Sequence, residues 1–178
     1  DKNHGNKMTN EALPASSIDQ IIAKMGRIIC WCVPVMALLV LIIVVLRYGF
    51  NTGAIAAQES VQYLHATVFM LGAAVTLGAD QHVRVDIFYR GFSERQKAWV
   101  NILGHIIFTL PVCALIGWGS LDYVLDSWSA REASPEPGGL PFVFLLKTLI
   151  PVMALLLALQ SLAQCRRALS TLQRGSAS

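Results

Sequence analysis

Charged residues are scarce in this sequence, and four long stretches contain no Asp, Glu, Lys or Arg at all. Only 14% of the 178 residues are charged, compared with about 25% in soluble domains. Because an α-helix rises about 1.5 Å per residue, stretches of this length can cross, or nearly cross, a hydrocarbon core of about 30 Å. The lack of charge therefore excludes a water-soluble fold. The uncharged stretches are Ile28 to Leu46, Ser60 to Ala79, Val100 to Leu121 and Thr148 to Cys165.

The alternation of apolar and polar residues that marks membrane β-strands is also missing, which excludes a closed barrel. We predict an all-α membrane protein with four transmembrane helices, at about residues 28–46, 60–79, 97–121 and 147–165. They form one domain over residues 18–170, because the loops are too short for a second folded unit. The polar residues 1–17 and 171–178 are predicted to be a flexible arm and a flexible tail.

Basic residues alternate between the two sides of the membrane. Of the 14 Lys and Arg residues, all except Arg47, Arg131 and Lys147 lie before the first uncharged stretch, between the second and third, or after the fourth. Cytoplasmic segments carry the excess of basic residues in membrane proteins. We therefore predict that both termini are cytoplasmic, and that the net charge of +3 reflects this topology and not an affinity for nucleic acid.

Residues near the helix ends are predicted to anchor the chain to lipid or to a partner. Lys147 precedes the fourth helix and can bind a lipid phosphate or a partner's carboxylate. Residues 86–90 are predicted to form a short interfacial segment between helices 2 and 3, with Arg90 at the level of the phosphates. Tryptophan rings favour the same level. The tryptophan anchors are Trp31 and Trp99 on the cytoplasmic side and Trp118 and Trp128 on the outer side.

Two local signals shape the third helix. Ser93 and Gln96 have the spacing of a capping box, which predicts that the helix begins at Ser93. Pro111 lies inside the apolar stretch, where it removes a backbone donor and predicts a kink.

Residues for catalysis, metal binding or cofactor binding are not found in any recognisable pattern. The four cysteines lie within the helices or at their cytoplasmic ends, and we interpret them as buried structural thiols. His65 and His105 lie at different depths, which disfavours a shared haem and favours polar contacts between helices. A redox membrane protein nevertheless remains one alternative. The cysteines are Cys30, Cys32, Cys113 and Cys165.

No Asp, Glu, Lys or Arg lies inside any of the four stretches. A transporter that binds its own substrate is expected to carry an ionisable group, or a broken helix, near the midplane. The chain therefore does not resemble a transport pathway, although a self-sufficient small channel or exporter remains a second alternative.

Short motifs mark the ends of the predicted helices. They are Arg47-Tyr48-Gly49-Phe50-Asn51, Gln58-Glu59, Gly72-Ala73-Ala74, His82-Val83-Arg84-Val85-Asp86, Pro137-Gly138-Gly139-Leu140-Pro141 and Lys147. Their order against four helices, over about residues 20–165, is more specific than any one of them. Together they resemble the small membrane subunit (DctQ-like) of tripartite ATP-independent periplasmic (TRAP) transporters.

The resemblance implies a multi-pass protein of the bacterial inner membrane that is neither an enzyme nor a binder of cofactors. It implies a much larger multi-helix membrane subunit as partner, which carries the sodium and substrate sites. A periplasmic binding protein would deliver the substrate, commonly an organic acid. The small subunit would act as a scaffold in contact with membrane lipids.

Six residues in these motifs are predicted to have structural or partner-contact roles. Arg47 and Glu59 flank one short outer loop, where they can form an ion pair, or Arg47 can instead extend to the headgroups. In an extended segment, His82, Arg84 and Asp86 would point the same way, forming a network in the cytoplasmic loop or a contact with the large subunit. The six residues are Arg47, Tyr48, Glu59, His82, Arg84 and Asp86.

Overall fold

Helices dominate the computed structural model, which describes residues 17–79 and 91–174. Four helical stretches in these residues are long and apolar enough to cross a membrane, and we number them spans 1 to 4. No β-strand occurs in the described residues. The predicted all-α fold with four transmembrane helices is therefore confirmed. The spans are Ile18–Gly49, Ile55–Gly78, Arg95–Ser129 and Val143–Ser170.

Each span is longer than the uncharged stretch that predicted it, because the helices continue into polar residues at one or both ends. Span 1 comprises α1 (Ser17–Cys30) and α2 (Cys32–Gly49), and span 2 is α3 (Ile55–Gly78). Span 3 comprises α4 (Glu94–Gly104), a π-helical turn (His105–Thr109), α5 (Leu110–Gly119) and α6 (Leu121–Ser129). Span 4 lies in α7 (Val143–Arg174), so the first four residues of the predicted tail are helical.

A proline explains why span 1 is divided into two helices. Pro34 has no N–H to bond the carbonyl of Cys30, and its ring crowds that carbonyl. The regular helix is accordingly interrupted at Trp31, whose N–H bonds the carbonyl of Ile28 at 3.1 Å.

The capping box predicted at the start of span 3 is present, and a π-helical turn lies next to Pro111, where a kink is predicted. Ser93 and Gln96 form the complete capping box. Pro111 follows the π-helical turn, in which the N–H of Leu110 bonds the carbonyl of His105, five residues earlier. This wider turn accommodates a proline that cannot complete the usual hydrogen bond.

The centre of the bundle is the pair of helices α3 and α7, on which the other spans pack. α2 packs on α3, while α4 and α5 pack on α7. Small residues allow these helices to approach closely, as is common in membranes. Ala74 is fully buried, and a Cβ added to Gly117 would meet the Cβ of Ala154 at 3.6 Å.

The amphipathic helix α1 packs mainly against α3. Its buried residues are Ile22 and Ile29. Gly26 lies between them, and a Cβ there would come within 2.8 Å of Cγ1 of Val75. This close approach brings Asp19, at the start of α1, to the end of α3 and towards α7.

Candidate functional site

Among the described residues, hydrogen-bonded polar side chains form two groups, one towards each end of the bundle. We call the group near the chain termini the termini-side cluster (Asp19, His105, Gln160, Gln164 and Arg167). The group near the opposite loops is the loop-side cluster (Glu59, Glu132, Ser134 and Lys147). The termini-side cluster is built from hydrogen bonds between spans, and the loop-side cluster from hydrogen bonds between spans and the loop that joins spans 3 and 4.

The termini-side cluster links α1 to α7 through a carboxylate. Oδ1 of Asp19 accepts a hydrogen bond from Nε2 of Gln160 at 2.8 Å, and Oδ2 accepts one from Nη1 of Arg167 at 3.1 Å. The side chain of Asp19 is 12% exposed, and Gln160 is fully buried. A buried charge is tolerated where it is paired and hydrogen-bonded, so these contacts hold α1 against α7.

Gln164 links the remaining spans to α7. Its amide nitrogen donates to the carbonyl of Leu77 at the end of α3. Its Oε1 lies 3.2 Å from Nε2 of His105 in the π-helical turn. The termini-side cluster thereby joins all four spans, and the predicted polar contact of His105 between helices is confirmed.

In the loop-side cluster, Glu59 holds the loop between spans 3 and 4. Its carboxylate accepts the backbone N–H of Leu140 at 2.6 Å and the hydroxyl of Ser134. The interpretation of Glu59 as the partner of Arg47 is therefore wrong. Arg47 instead lines a pocket of about 310 Å³ with residues such as Asn51 and Gln58.

Lys147 also has a partner within the chain. Its ammonium bonds the carboxylate of Glu132 and lies 3.9 Å from the centre of the Tyr123 ring. The hydroxyl of Ser127 donates to the same Glu132 oxygen at 2.7 Å. Only 14% of the Lys147 side chain is exposed. The contact predicted for Lys147, with a lipid phosphate or a partner's carboxylate, is thus replaced by one with Glu132.

These contacts lower the pKa of Glu132 from its ordinary value, chiefly through the hydrogen bond from Lys147 and then that from Ser127. A carboxyl whose pKa is lower in the folded state contributes its full stability above the unfolded pKa, and loses it as the pH falls through the folded pKa. The contacts of Glu132 therefore weaken in acid.

We expect Glu132→Gln to reduce the loss of thermal stability that acid causes in the detergent-solubilised chain. The variant has no carboxyl to protonate at this position, so its unfolding temperature should fall less between neutral and acidic pH. Asp122→Asn, at an exposed carboxylate nearby, provides the control. An unchanged pH dependence in Glu132→Gln would contradict this assignment.

Of the four tryptophans, Trp128 is the one with the most defined contacts. Its indole N–H donates to the hydroxyl of Thr148 at 2.8 Å, and its ring meets that of Phe144 edge to face at 4.8 Å. The other predicted anchors lie on the surface of the chain, where a role towards lipid or a partner stays a prediction. They are Trp31, Trp99 and Trp118. Tyr48, predicted to have a structural or partner-contact role, is exposed as well, and its role stays a prediction.

The structure bears differently on the predictions for the loop between spans 2 and 3 and on those for the cysteines. His82, Arg84, Asp86 and Arg90, with the interfacial segment 86–90, lie outside the described residues and stay predictions. Of the cysteines, which are all free thiols, Cys113 and Cys165 are buried as expected. The interpretation is wrong for the others, since Cys32 is half-buried and Cys30 is exposed.

Sequence reasoning missed the residues that build the termini-side cluster. A usable signal was present, because Gln160 and Gln164 are polar, one turn apart and inside an otherwise apolar stretch. Amides in such positions commonly hydrogen-bond between helices.

Comparison with known proteins identifies the family that this chain resembles in sequence. Residues 36–171 match the family model described as "Tripartite ATP-independent periplasmic transporters, DctQ component". The chain is also 30% identical over 128 residues to a protein of Haemophilus influenzae named as a TRAP transporter small permease protein. That alignment covers 71% of this chain and 79% of the relative. No solved structure matches the chain.

Proposed function

We propose that this chain, which belongs to the family of DctQ components of tripartite ATP-independent periplasmic (TRAP) transporters, acts as a scaffold for the large membrane subunit. The family is a transporter component, and the four spans make the chain a multi-pass protein of the inner membrane. In this proposal the large subunit carries the sodium and substrate sites. A periplasmic binding protein delivers the substrate, an organic acid, and this chain needs no cofactor.

The scaffold role rests on one observation, which is that five charged side chains in the described residues form hydrogen bonds or ion pairs near the ends of the spans and connect helices or loops there. Asp19 and Arg167 pair at one end. Glu132 and Lys147 pair at the other, where Glu59 holds a loop. A subunit that carries substrate is expected to place ionisable groups near the midplane. Here such groups instead hold the helices in one arrangement, as a static support requires.

The topology of the proposal follows from the basic residues. The termini-side cluster lies at the cytoplasmic face, where the positive-inside rule places both termini. The loop-side cluster then faces the periplasm, from which the binding protein approaches.

Reconstitution into liposomes tests the function. We expect uptake of labelled organic acids, driven by a sodium gradient, when this chain, the large subunit and the loaded binding protein are all present. The chain alone, with the same binding protein and gradient, should give only the background of empty liposomes, because its spans offer no charged site for the substrate.

Two controls make the result interpretable. Omitting sodium should abolish uptake by the complete system, and omitting this chain should reduce it strongly. Uptake by this chain alone would contradict the scaffold role and favour a self-sufficient transporter. Full uptake by the large subunit without this chain would also contradict the proposal.

A further inference from the structure

The outward face of α3 is polar in its first half. Gln58, Gln62 and His65 are all exposed and follow the spacing i, i+4, i+7, so they lie on one side of the helix. We call these three residues the α3 stripe. Phe69 continues the same face one turn further, and its ring centre lies 6.4 Å from that of His65.

In the part of the chain that the structure describes, the central turns of the other spans expose no polar side chain, and the exposed Lys24 and Arg27 of span 1 lie in α1, before the break at Trp31. The exposed residues of α2, before Arg47, are almost all aliphatic, and those of spans 3 and 4 are apolar along their central turns. The polar character of the α3 stripe is therefore specific to that face. Representative exposed residues on the other spans are Leu38, Leu41, Phe108, Leu115, Leu155 and Leu159.

The α3 stripe extends well into the membrane. His65 lies ten residues after Ile55, the first residue of α3, which corresponds to about 15 Å along the helix. Within residues 17–79 and 91–174, neither the amide of Gln62 nor the imidazole of His65 has a hydrogen-bond partner. Lipid tails cannot supply one, so a polar group facing them loses its hydrogen bonds with water without compensation.

The stripe is continuous with a cationic pocket at the loop side. Gln58 and Arg47 both line the pocket of about 310 Å³ described above, as do Asn51 and Thr52. In the described residues no carboxylate pairs with Arg47. The combined surface thus presents a guanidinium near the membrane boundary, with amide and imidazole groups at increasing depth.

We propose that the α3 stripe and the Arg47 pocket form the docking surface for the large membrane subunit. The subunit would present a helix with a carboxylate opposite Arg47 and hydrogen-bonding side chains opposite Gln62 and His65. This inference rests on the proposed function, because it takes the partner from it. Polar contacts of this kind are a common means of helix association in membranes.

A second copy of this chain fits the surface less well. Two copies inserted in the same orientation would pair about an axis normal to the membrane, with equal residues at equal depth. Such a pair would place Arg47 opposite Arg47 near the boundary, where like charges repel each other. A different chain that carries an acceptor there avoids this repulsion.

Site-specific photocrosslinking identifies the neighbour of the stripe in the complete complex. A photoreactive amino acid at position 62 or 65 should form a covalent adduct with the large subunit, in higher yield than the same probe at Leu155. Adducts only with lipid, or only with a second copy of this chain, would overturn the proposal.

Substitution measures the contribution of the stripe to assembly. Gln62→Leu with His65→Leu should reduce the amount of large subunit that co-purifies by about tenfold, as the loss of two interhelical hydrogen bonds would. The control pair, Gln62→Asn with His65→Gln, keeps hydrogen-bonding groups and should retain most of the assembly. The leucine variant should leave the thermal stability of this chain alone unchanged, since these polar groups bond nothing within residues 17–79 and 91–174.

The outcomes separate the two proposals. If the wild-type chain does not co-purify with the large subunit, the proposed function fails, and the docking surface fails with it. If the wild-type chain co-purifies and the leucine variant does so equally well, the docking surface alone is wrong.

Discussion

Replacing Gln164 by leucine is expected to destabilise the folded chain by about 1–3 kcal/mol, the usual net contribution of two hydrogen bonds. Gln164 bonds both the carbonyl of Leu77 and the ring of His105. Leucine has a similar volume, so the loss would reflect those two contacts and not a cavity. Thermal unfolding in detergent, followed by circular dichroism, measures the effect.

The structural consequence of Gln164→Leu should be concentrated at one end of the bundle. Gln164 is the residue through which spans 2 and 3 join the termini-side cluster, so hydrogen exchange should increase around Leu77 and His105 and little elsewhere. Gln20→Leu makes the same change at an exposed position of α1 and should have a small effect. Equal stability of Gln164→Leu and the wild type would show that the cluster does not hold the spans together.

Replacing Glu59 by glutamine is expected to release the loop between spans 3 and 4, with severalfold faster proteolysis within residues 134–140. Hydrogen bonds to an ionised acceptor are roughly twice as strong as those between neutral groups, and the Glu59 carboxylate accepts two of them from this loop. The amide also replaces one acceptor oxygen by a donor. Limited proteolysis with mass spectrometry locates the cleavage.

Glu136→Gln is the matched control, because it removes a charge from an exposed residue of the same loop that does not hold the loop to α3. Its cleavage rate should stay close to that of the wild type.

Gly139→Ala is a second variant that tests the contact between Glu59 and the loop, here by steric crowding. The added Cβ would lie 2.7 Å from Oε1 of Glu59, so it too should loosen the loop. Unchanged proteolysis in both Glu59→Gln and Gly139→Ala would contradict the anchoring role.

The transmembrane helices could be predicted from the sequence because their formation depends on local properties. In hydrocarbon, each backbone polar group must be satisfied within its own segment, so a long uncharged apolar stretch is sufficient to indicate a helix. The capping box at Ser93 and the irregularity near Pro111 also involve groups within about one turn of each other. No knowledge of the neighbouring helices was needed for either.

The contacts of the candidate site could not be predicted in the same way. Glu59 lies 12 residues from Arg47 in the sequence, yet it bonds Leu140, which is 81 residues away. Which of these partners it contacts depends on how the loop between spans 3 and 4 folds over α3. Lys147 likewise meets Glu132 because α6 and α7 turn their ends towards each other.

His65 and His105 show most clearly that helix formation could be predicted from the sequence and side-chain contacts could not. Both lie in apolar stretches, and composition predicted one role for both, a polar contact between helices. Packing separates them, because His105 lies against α7 and contacts Gln164, whereas His65 faces away from every described helix. Local composition is enough to commit a segment to a helix in the membrane, since its backbone bonds are internal. The direction in which each side chain points depends on how that helix rotates against its neighbours, and this follows from long-range packing alone.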